Sequence, residues 1–161
     1  MSHNLEPMIE KPSISNSIRR YFEDMPKGKT YLEEAEFGMG RIMPVLANLP
    51  PGARILEVGS GPSILLAEIT ERYPHLHISG IEPMSDGFAF FKDFLGKMHE
   101  KHAFLDVKSI GYEDVEQGEW DFIFLVNVFE HLPDWRGFLD FASRSLKPEG
   151  SCMILCPNYG F

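Results

Sequence analysis

Three short stretches carry residue types that could work together on one ligand. Glu57-Val58-Gly59-Ser60-Gly61 follows an apolar run and ends in two glycines separated by one residue. Glycines without a Cβ let a ligand come up against the backbone, and a turn that opens into a helix offers its first N–H groups to an anion. Glu82 stands 21 positions after Gly61, and a carboxylate at the end of the following strand can accept hydrogen bonds from both hydroxyls of a ribose. The third stretch, Asn127-Val128-Phe129-Glu130-His131-Leu132-Pro133, sets a histidine beside an acid, a pair able to take up a proton. A Gly-x-Gly turn alone is weak; joined to an acid at the end of the next strand it points to a nucleotide-bearing cofactor. A nicotinamide dehydrogenase would need the last glycine of its fingerprint at position 64, where Ile64 stands.

These residues need a scaffold that brings them to one place. Apolar runs of strand length alternate with helical patterns from Ala53 onward. Ile55–Val58 reads as a first strand, Pro62–Arg72 as a helix on Ile64, Leu65, Ala67 and Ile69, and His77–Ile81 as a second strand. Phe88, Phe91, Leu95 and Met98 recur at helical spacing, and a third strand falls within His102–Tyr112. Trp120–Val128 is the clearest strand, nearly all apolar as expected when both sheet faces are covered. Asp134 caps the next predicted helix, Trp135–Leu146, whose core side is Trp135, Phe138, Leu139, Ala142 and Leu146; Ser151–Leu155 is the fifth strand. Strands joined by crossover helices make a doubly wound, mostly parallel α/β sheet, which binds ligands beyond the carboxyl ends of its strands. Ahead of it, residues 1–12 read as a loose terminus and 13–49 as helices broken at Pro26-Lys27-Gly28. Pro44 and two glycines would kink or split the second of these helices, and residues 13–49 would serve as a lid over the α/β domain at 50–161, with Phe37-Gly38-Met39-Gly40 giving it flexibility.

The chain has 161 residues, enough for one core, with 43% hydrophobic and 24% charged residues. A formal net charge of -9 argues against the broad basic surface of a nucleic-acid binder. No apolar run approaches the roughly 20 residues of a membrane span, and MSHNLEPMIEKP lacks the build of a secretion signal, so a cytoplasmic protein is expected. Cys152 and Cys156, about 13 Å apart along one strand, are too distant for a mutual disulfide and are expected to be buried thiols. His75, His77, His99 and His102 have no metal spacing backed by other ligands, and no metal site is expected.

From about Arg54 to Asn158 the chain resembles the class I S-adenosylmethionine-dependent methyltransferases of the small-molecule type. The resemblance is carried by the E-x-G-x-G loop at Glu57, Asp121 at the start of strand four, FEHLPD at its exit, and LKPEGSCMILCPN around strand five. It implies a Rossmann-like methyltransferase fold and S-adenosylmethionine as cofactor. Gly59, Ser60 and Gly61 would approach its methionine part, with Glu57 supporting the loop or reaching the amino group. Glu82 would hold the ribose, Pro83 and Met84 would lie against the adenine, and Tyr112 and Glu113 would stand near its edge. Asn127 and Val128 would border the methionine end. His131 would be the catalytic base, or would brace the loop into the next helix. Quinone-type O-methyltransferases with E-x-x-E-H at this place can serve a metal, but Asn127 stands where the first acid would be.

The family's sheet has seven strands, and this chain ends just after the fifth. The resemblance therefore implies an apolar strand-five edge, including Met153 and Leu155, through which the protein would self-associate or take up a strand lent by a partner chain. A small-molecule acceptor is preferred over a protein side chain, and nucleic acid and membrane are not expected partners. The alternative is a non-catalytic methyltransferase-like module that uses the fold for binding or assembly.

Overall fold

The computed structural model describes residues 13–23, 25–84, 95–96, 99–100 and 105–157. Five strands form one parallel sheet: β1 (Arg54–Val58), β2 (His77–Ile81), β3 (Asp106–Lys108), β4 (Trp120–Val126) and β5 (Leu146–Leu155), in the order β3-β2-β1-β4-β5. After β1 the chain builds outward through β2 and β3, then returns to place β4 on the other side of β1. That reversal, between β1 and β4, leaves a crevice at the carboxyl ends of the two strands.

The central strands are apolar because both of their faces are covered. Ile55, Phe122 and Phe124 join one core with helices α1 (Asn16–Arg19), α2 (Gly28–Leu46) and α3 (Ile64–Arg72). Leu56, Val58, Ile123 and Leu125 join the other, with Tyr112 and with Phe138, Phe141 and Ala142 of helix α4 (Trp135–Ser145). The doubly wound α/β arrangement predicted from the alternation of elements is the one observed.

Several limits moved for local reasons. Helix α3 begins at Ile64 rather than Pro62, because Ser63 is left-handed (φ 60) and Pro62 lies in the turn before it. Strand β4 stops at Val126 because Asn127 is also left-handed (φ 55). Strand β5 starts at Leu146: Leu146 pairs with Trp120 and Ser151 with Phe122, so residues 147–150 bulge out between them. Lys147 Nζ, at 2.9 and 2.8 Å from the two carboxylate oxygens of Asp121, ties down that bulge. Helix α4 buries Phe138, Phe141, Ala142 and Ser145, whereas Trp135 and Leu139, expected inside, are 41% and 42% exposed. The true stripe is rotated toward Phe141, and Asp134 caps the helix through its carboxylate, which accepts from the Gly137 amide at 2.9 Å.

The expected break in the N-terminal helices is absent within α2. Leu32, Ala35, Met39, Ile42 and Leu46 give one continuous buried stripe through Pro44. Pro44 sits in the last turn, where its carbonyl accepts from Asn48 Nδ2 at 2.7 Å. Gly38 is a packing glycine: a Cβ there would stand 3.1 Å from both Leu65 and Val126, so its role is to dock α2 on α3 and β4. Cys152, on the edge strand β5, and Cys156, just past its end, are exposed free thiols rather than buried ones. Of the predicted helix on Phe88, Phe91, Leu95 and Met98, only Leu95 is within the described residues, and it is buried. No helix among the described residues is long and apolar enough to cross a membrane.

Candidate active site

A cavity of about 710 Å³ opens at the switch point between β1 and β4. Its inner wall is the turn after β1. The Gly59 and Ser60 amides both donate to the Ile81 carbonyl, at 2.8 and 3.0 Å, which fastens the turn to the end of β2. The Gly61 amide donates to Glu82 Oε2 at 2.9 Å, and the Ser63 amide donates to the Ser60 carbonyl at 2.7 Å. Gly80, under the turn, is needed for this closeness, since a Cβ there would meet the Ser60 Cβ at 3.1 Å.

Gly59 has φ +74, and a Cβ on it would come within 2.6 Å of Val128 Cγ1. The missing side chain thus makes room for a residue of the opposite wall, and the loops after β1 and β4 touch through this pair.

Glu57, at the end of β1, is 4% exposed. Its carboxylate accepts from the Leu66 amide in the first turn of α3, while Oε2 is buried with no hydrogen-bond partner. Burial above all, then the charge of Glu82, holds its carboxyl well above the ordinary value of 4.5. The Leu66 and Gly61 amides are taken by Glu57 and Glu82, so these two donors of the turn and helix start are not open to a ligand. Glu82 is 8% exposed; burial raises its pKa, and hydrogen bonds from the Gly61 and Met84 amides work the other way.

Nearly all the residues singled out in the sequence border this cavity: Glu57, Gly59, Ser60 and Gly61 from the first turn, Glu82 and Pro83 after β2. Tyr112 and Glu113 border it from the turn after β3, and Asn127, Val128 and His131 from the exit of β4. Met84 is not part of the wall. It is left-handed (φ 48) with its amide turned to Glu82.

Tyr112 is 5% exposed, and its hydroxyl donates to the Asp134 carbonyl at 2.7 Å. Its pKa is pushed up to about 12, by burial first and then by the Glu113 carboxylate. The Tyr112 ring meets Phe138 edge to face, with centroids 5.6 Å apart, so this residue shapes the wall by packing.

At the other side, the Asn127 amide donates to the Leu155 carbonyl at 2.8 Å, and the Asn127 side chain hydrogen-bonds Glu34 of α2. His131 ends the short 3-10 turn Phe129–His131 and has a 66% exposed side chain, with Nε2 4.0 Å from Glu130 Oε1.

The sequence reading missed the contribution of α2: Tyr31, Glu34 and Ala35 also line the cavity. Their 3-and-4 spacing was the available signal, although an acid on that stripe looks like an ordinary surface residue. Asp114, Pro133 and Pro157 complete the outer rim. The charged side chains of the wall are all carboxylates, Glu34, Glu57, Glu82, Glu113, Asp114 and Glu130; no Lys or Arg lines it among the described residues. Nor does any group of three His, Cys, Asp or Glu among the described residues have the arrangement to hold a metal ion.

Residues 29–161 match the family model of a methyltransferase domain. The uncharacterized protein Rv1509 of Mycobacterium tuberculosis is 36% identical over 132 residues, covering 80% of this chain and 44% of that protein. A ubiquinone biosynthesis O-methyltransferase of Rhodopseudomonas palustris is 26% identical over 110 residues, covering 66% of this chain and 41% of that protein. The chain thus spans less than half the length of these relatives. Among solved structures, the mycolic acid cyclopropane synthase CmaA1 complexed with SAH and CTAB superposes with a TM-score of 0.61. It is 22% identical, over 88% of this chain and 52% of that one. Coclaurine N-methyltransferase bound to N-methylheliamine and SAH gives 0.59 at 19% identity, over 82% of this chain and 38% of that one. With the parallel sheet, the turn after β1 and the acid after β2 in place, the chain belongs to the class I S-adenosylmethionine-dependent methyltransferase family.

Proposed function

We propose that this domain binds S-adenosylmethionine in the cavity at the β1–β4 switch point and transfers its methyl group to a small-molecule acceptor. The observation that carries the reading is the buried acid pair, Glu57 and Glu82, on either side of the Gly59–Gly61 turn. The unpartnered oxygen of Glu57 suits an ammonium group, which would supply the donor it lacks. Glu82 keeps acceptor capacity beyond its bonds from the Gly61 and Met84 amides, enough to receive ribose hydroxyls.

When bound, S-adenosylmethionine supplies a methyl group on a positively charged sulfur, which asks for alignment more than for activation. Glu57 would hold the amino end, Gly59, Ser60 and Gly61 would lie against the methionine part, and Glu82 would hold the ribose. Pro83, Tyr112 and Glu113 bound the adenine side, while Asn127 and Val128 close the methionine end against Gly59. His131, at the rim beside Glu130, is in position to accept the acceptor's proton. Helix α2 covers the acceptor side as a fixed wall, tied to the β4 exit by Glu34 and Asn127.

The test is titration calorimetry with S-adenosylmethionine and S-adenosylhomocysteine, followed by methyl transfer from labelled cofactor to a small-molecule library. One-to-one binding with turnover supports the reading, and no binding by the folded protein overturns it. Binding without turnover on any acceptor would favour the non-catalytic module. We also place the protein in the cytoplasm, where its free exposed thiols would stay reduced. Among the described residues no strand pairs with the outer edge of β5, which supports pairing between copies; a monomer by light scattering at high concentration would refute it.

A further inference from the structure

Three glutamates are buried among the described residues, and the cavity accounts for two of them. The third, Glu68, is 2% exposed and stands on α3, outside the cavity wall. Both of its oxygens are taken. Oε2 accepts from the Ser15 amide at 2.8 Å, and Oε1 accepts from Arg72 Nε at 3.2 Å and Nη2 at 2.6 Å. The same Arg72 Nη2 donates to the Ser13 carbonyl at 2.9 Å, and Nη1 stands 3.8 Å from Met43 Sδ of α2. Taking one partner away leaves a buried charge uncompensated, so this set of bonds stays whole only while residues 13–15 lie against α3.

Helix α1 is a single turn of four residues, and Ser15 at its N-cap makes no side-chain cap. Such a turn does not hold itself. It stays in place because Ile14, Ile18 and Phe22 are buried in the core and because Glu68 receives the amide just ahead of it. From there the chain is coupled to α2 twice. Arg19 forms an ion pair with Glu36, and a Cβ on Gly28 would run into the Phe22 carbonyl, so the turn into α2 leaves no slack. In the first half of α2, Tyr31, Glu34 and Ala35 line the same cavity as Glu57 and the turn after β1. The second half is docked separately, where Gly38 packs on Leu65 and Val126.

We propose that Glu68 is a positioning residue for ligand binding: it latches residues 13–23 onto α3 and so holds the first half of α2 over the cavity. This deepens the methyltransferase reading and rests on it. Glu68 does not line the cavity, so it acts only through α1 and α2. A ligand in the cavity is covered by Tyr31, Glu34 and Ala35, and closure of that wall and occupation of the cavity therefore stabilise one another. Each changes the other's equilibrium by the same factor.

Hydrogen exchange of the whole chain tests both links, with S-adenosylhomocysteine as the probe. Glu68→Ala should speed exchange of amides 28–36 by about ten- to hundredfold, the worth of one hydrogen bond to a charged group, and leave amides 39–46 within about twofold. Ser15→Pro should act in the same way, since φ -57 at Ser15 suits proline and the donor to Glu68 is removed while Glu68 and Arg72 stay paired. That variant carries the test if Glu68→Ala does not fold. In the wild-type protein, S-adenosylhomocysteine at about 100 times its dissociation constant should slow exchange at 28–36 by up to about hundredfold. A latch that only holds the fold would give the first effect without the second. Unchanged exchange at 28–36 in the variants, an equal rise across β1 and β4, or no slowing by bound S-adenosylhomocysteine overturns the inference and leaves the cofactor reading intact. Failure of the wild-type protein to bind S-adenosylhomocysteine at all would instead remove the parent reading, and this inference with it.

Discussion

At the inner end of the cavity, Glu57 and Glu82 are 4% and 8% exposed and receive backbone amides from Leu66, Gly61 and Met84. At the outer end, Glu34 and Glu130 are more open and are held by side chains, Asn127 for Glu34 and the Cys156 thiol for Glu130. The residue type is the same, but the supports differ in stiffness. Backbone amides of the turn after β1, of the first turn of α3 and of the segment after β2 fix the inner acids within the fold itself, so the inner pair is preformed for a ligand of one shape. Side-chain supports on α2 and on a 3-10 turn can be exchanged without disturbing the sheet, so the outer pair is where the acceptor can be chosen. Substitutions at the inner end should therefore affect folding and binding together, and those at the outer end binding or turnover alone.

The most severe way to break this division is at Gly59. Gly59→Ala places a Cβ against Val128 on a residue with φ +74. Left-handed strain and overpacking together should cost about 2–5 kcal/mol of stability in denaturant unfolding. Adding Val128→Ala should restore the overpacking share and leave the strain of about 1–2 kcal/mol. A single variant as stable as the parent, or a double variant no better than the single, would show that the two loops do not meet through this pair.

Glu82 sharpens the same point, since it serves fold and ligand at once. Glu82→Ala leaves the buried Gly61 amide without its acceptor, a loss of about 1–3 kcal/mol. Glu82→Gln retains an acceptor for that amide, so stability should recover. Affinity for S-adenosylmethionine should fall about ten- to hundredfold in both variants, as charge-assisted bonds to the ribose are lost. Full affinity in a folded Glu82→Gln protein would remove the ribose role.

The inner end was far more legible in the sequence than the outer one, and the reason is the range over which each is assembled. The strand His77–Ile81, the turn at Gly59 and the acid at Glu82 announce themselves through apolar runs, glycine spacing and position within a few residues. The clash partner of Gly59 is Val128, and the partner of Glu34 is Asn127, each far away along the chain. No local pattern records such pairs. Tyr31, Glu34 and Ala35 belong to a helix whose amphipathic spacing says only that one side is covered, not that part of that side faces a cavity. Gly38 was misread for the same reason: a glycine that permits close packing and one that permits bending look alike until the neighbours at Leu65 and Val126 are known. On α4 the choice between Trp135 and Phe141 for the core was a matter of helix rotation, which the sheet decides.

The inner pair should also report itself through pH. Both carboxyls are raised by burial above the ordinary 4.5, and for Glu57 the charge of Glu82 adds to this. The folded, ligand-free protein therefore holds more protons than the unfolded chain above that value. Its stability is greatest at or below pH 4.5 with respect to these groups and declines as pH rises through the folded pKa values. Ligand binding runs the other way, because an ammonium requires ionised Glu57 and expels its proton. S-adenosylhomocysteine affinity should rise with pH by up to about tenfold per unit while one proton is released, then level off. Calorimetry in buffers of different ionisation enthalpy would read the proton directly; no buffer dependence at any pH would mean that Glu57 is already ionised before the ligand arrives.

The smallest effect is expected at His131, and it bears most directly on the outer end. An enclosed general base contributes about 10²–10⁴ in rate. The His131 side chain is 66% exposed, so solvent can receive the proton when the imidazole is removed. His131→Ala should leave cofactor affinity and unfolding unchanged and lower turnover by about fivefold at neutral pH. The loss should shrink as pH rises and the acceptor sheds its proton without help. A loss of a hundredfold or more would place His131 in a closed site, with the outer end as rigidly organised as the inner one. A rate unchanged at every pH would make His131 a brace for the turn into α4, and would leave Glu34 and Glu130 to orient an acceptor that sheds its proton to water.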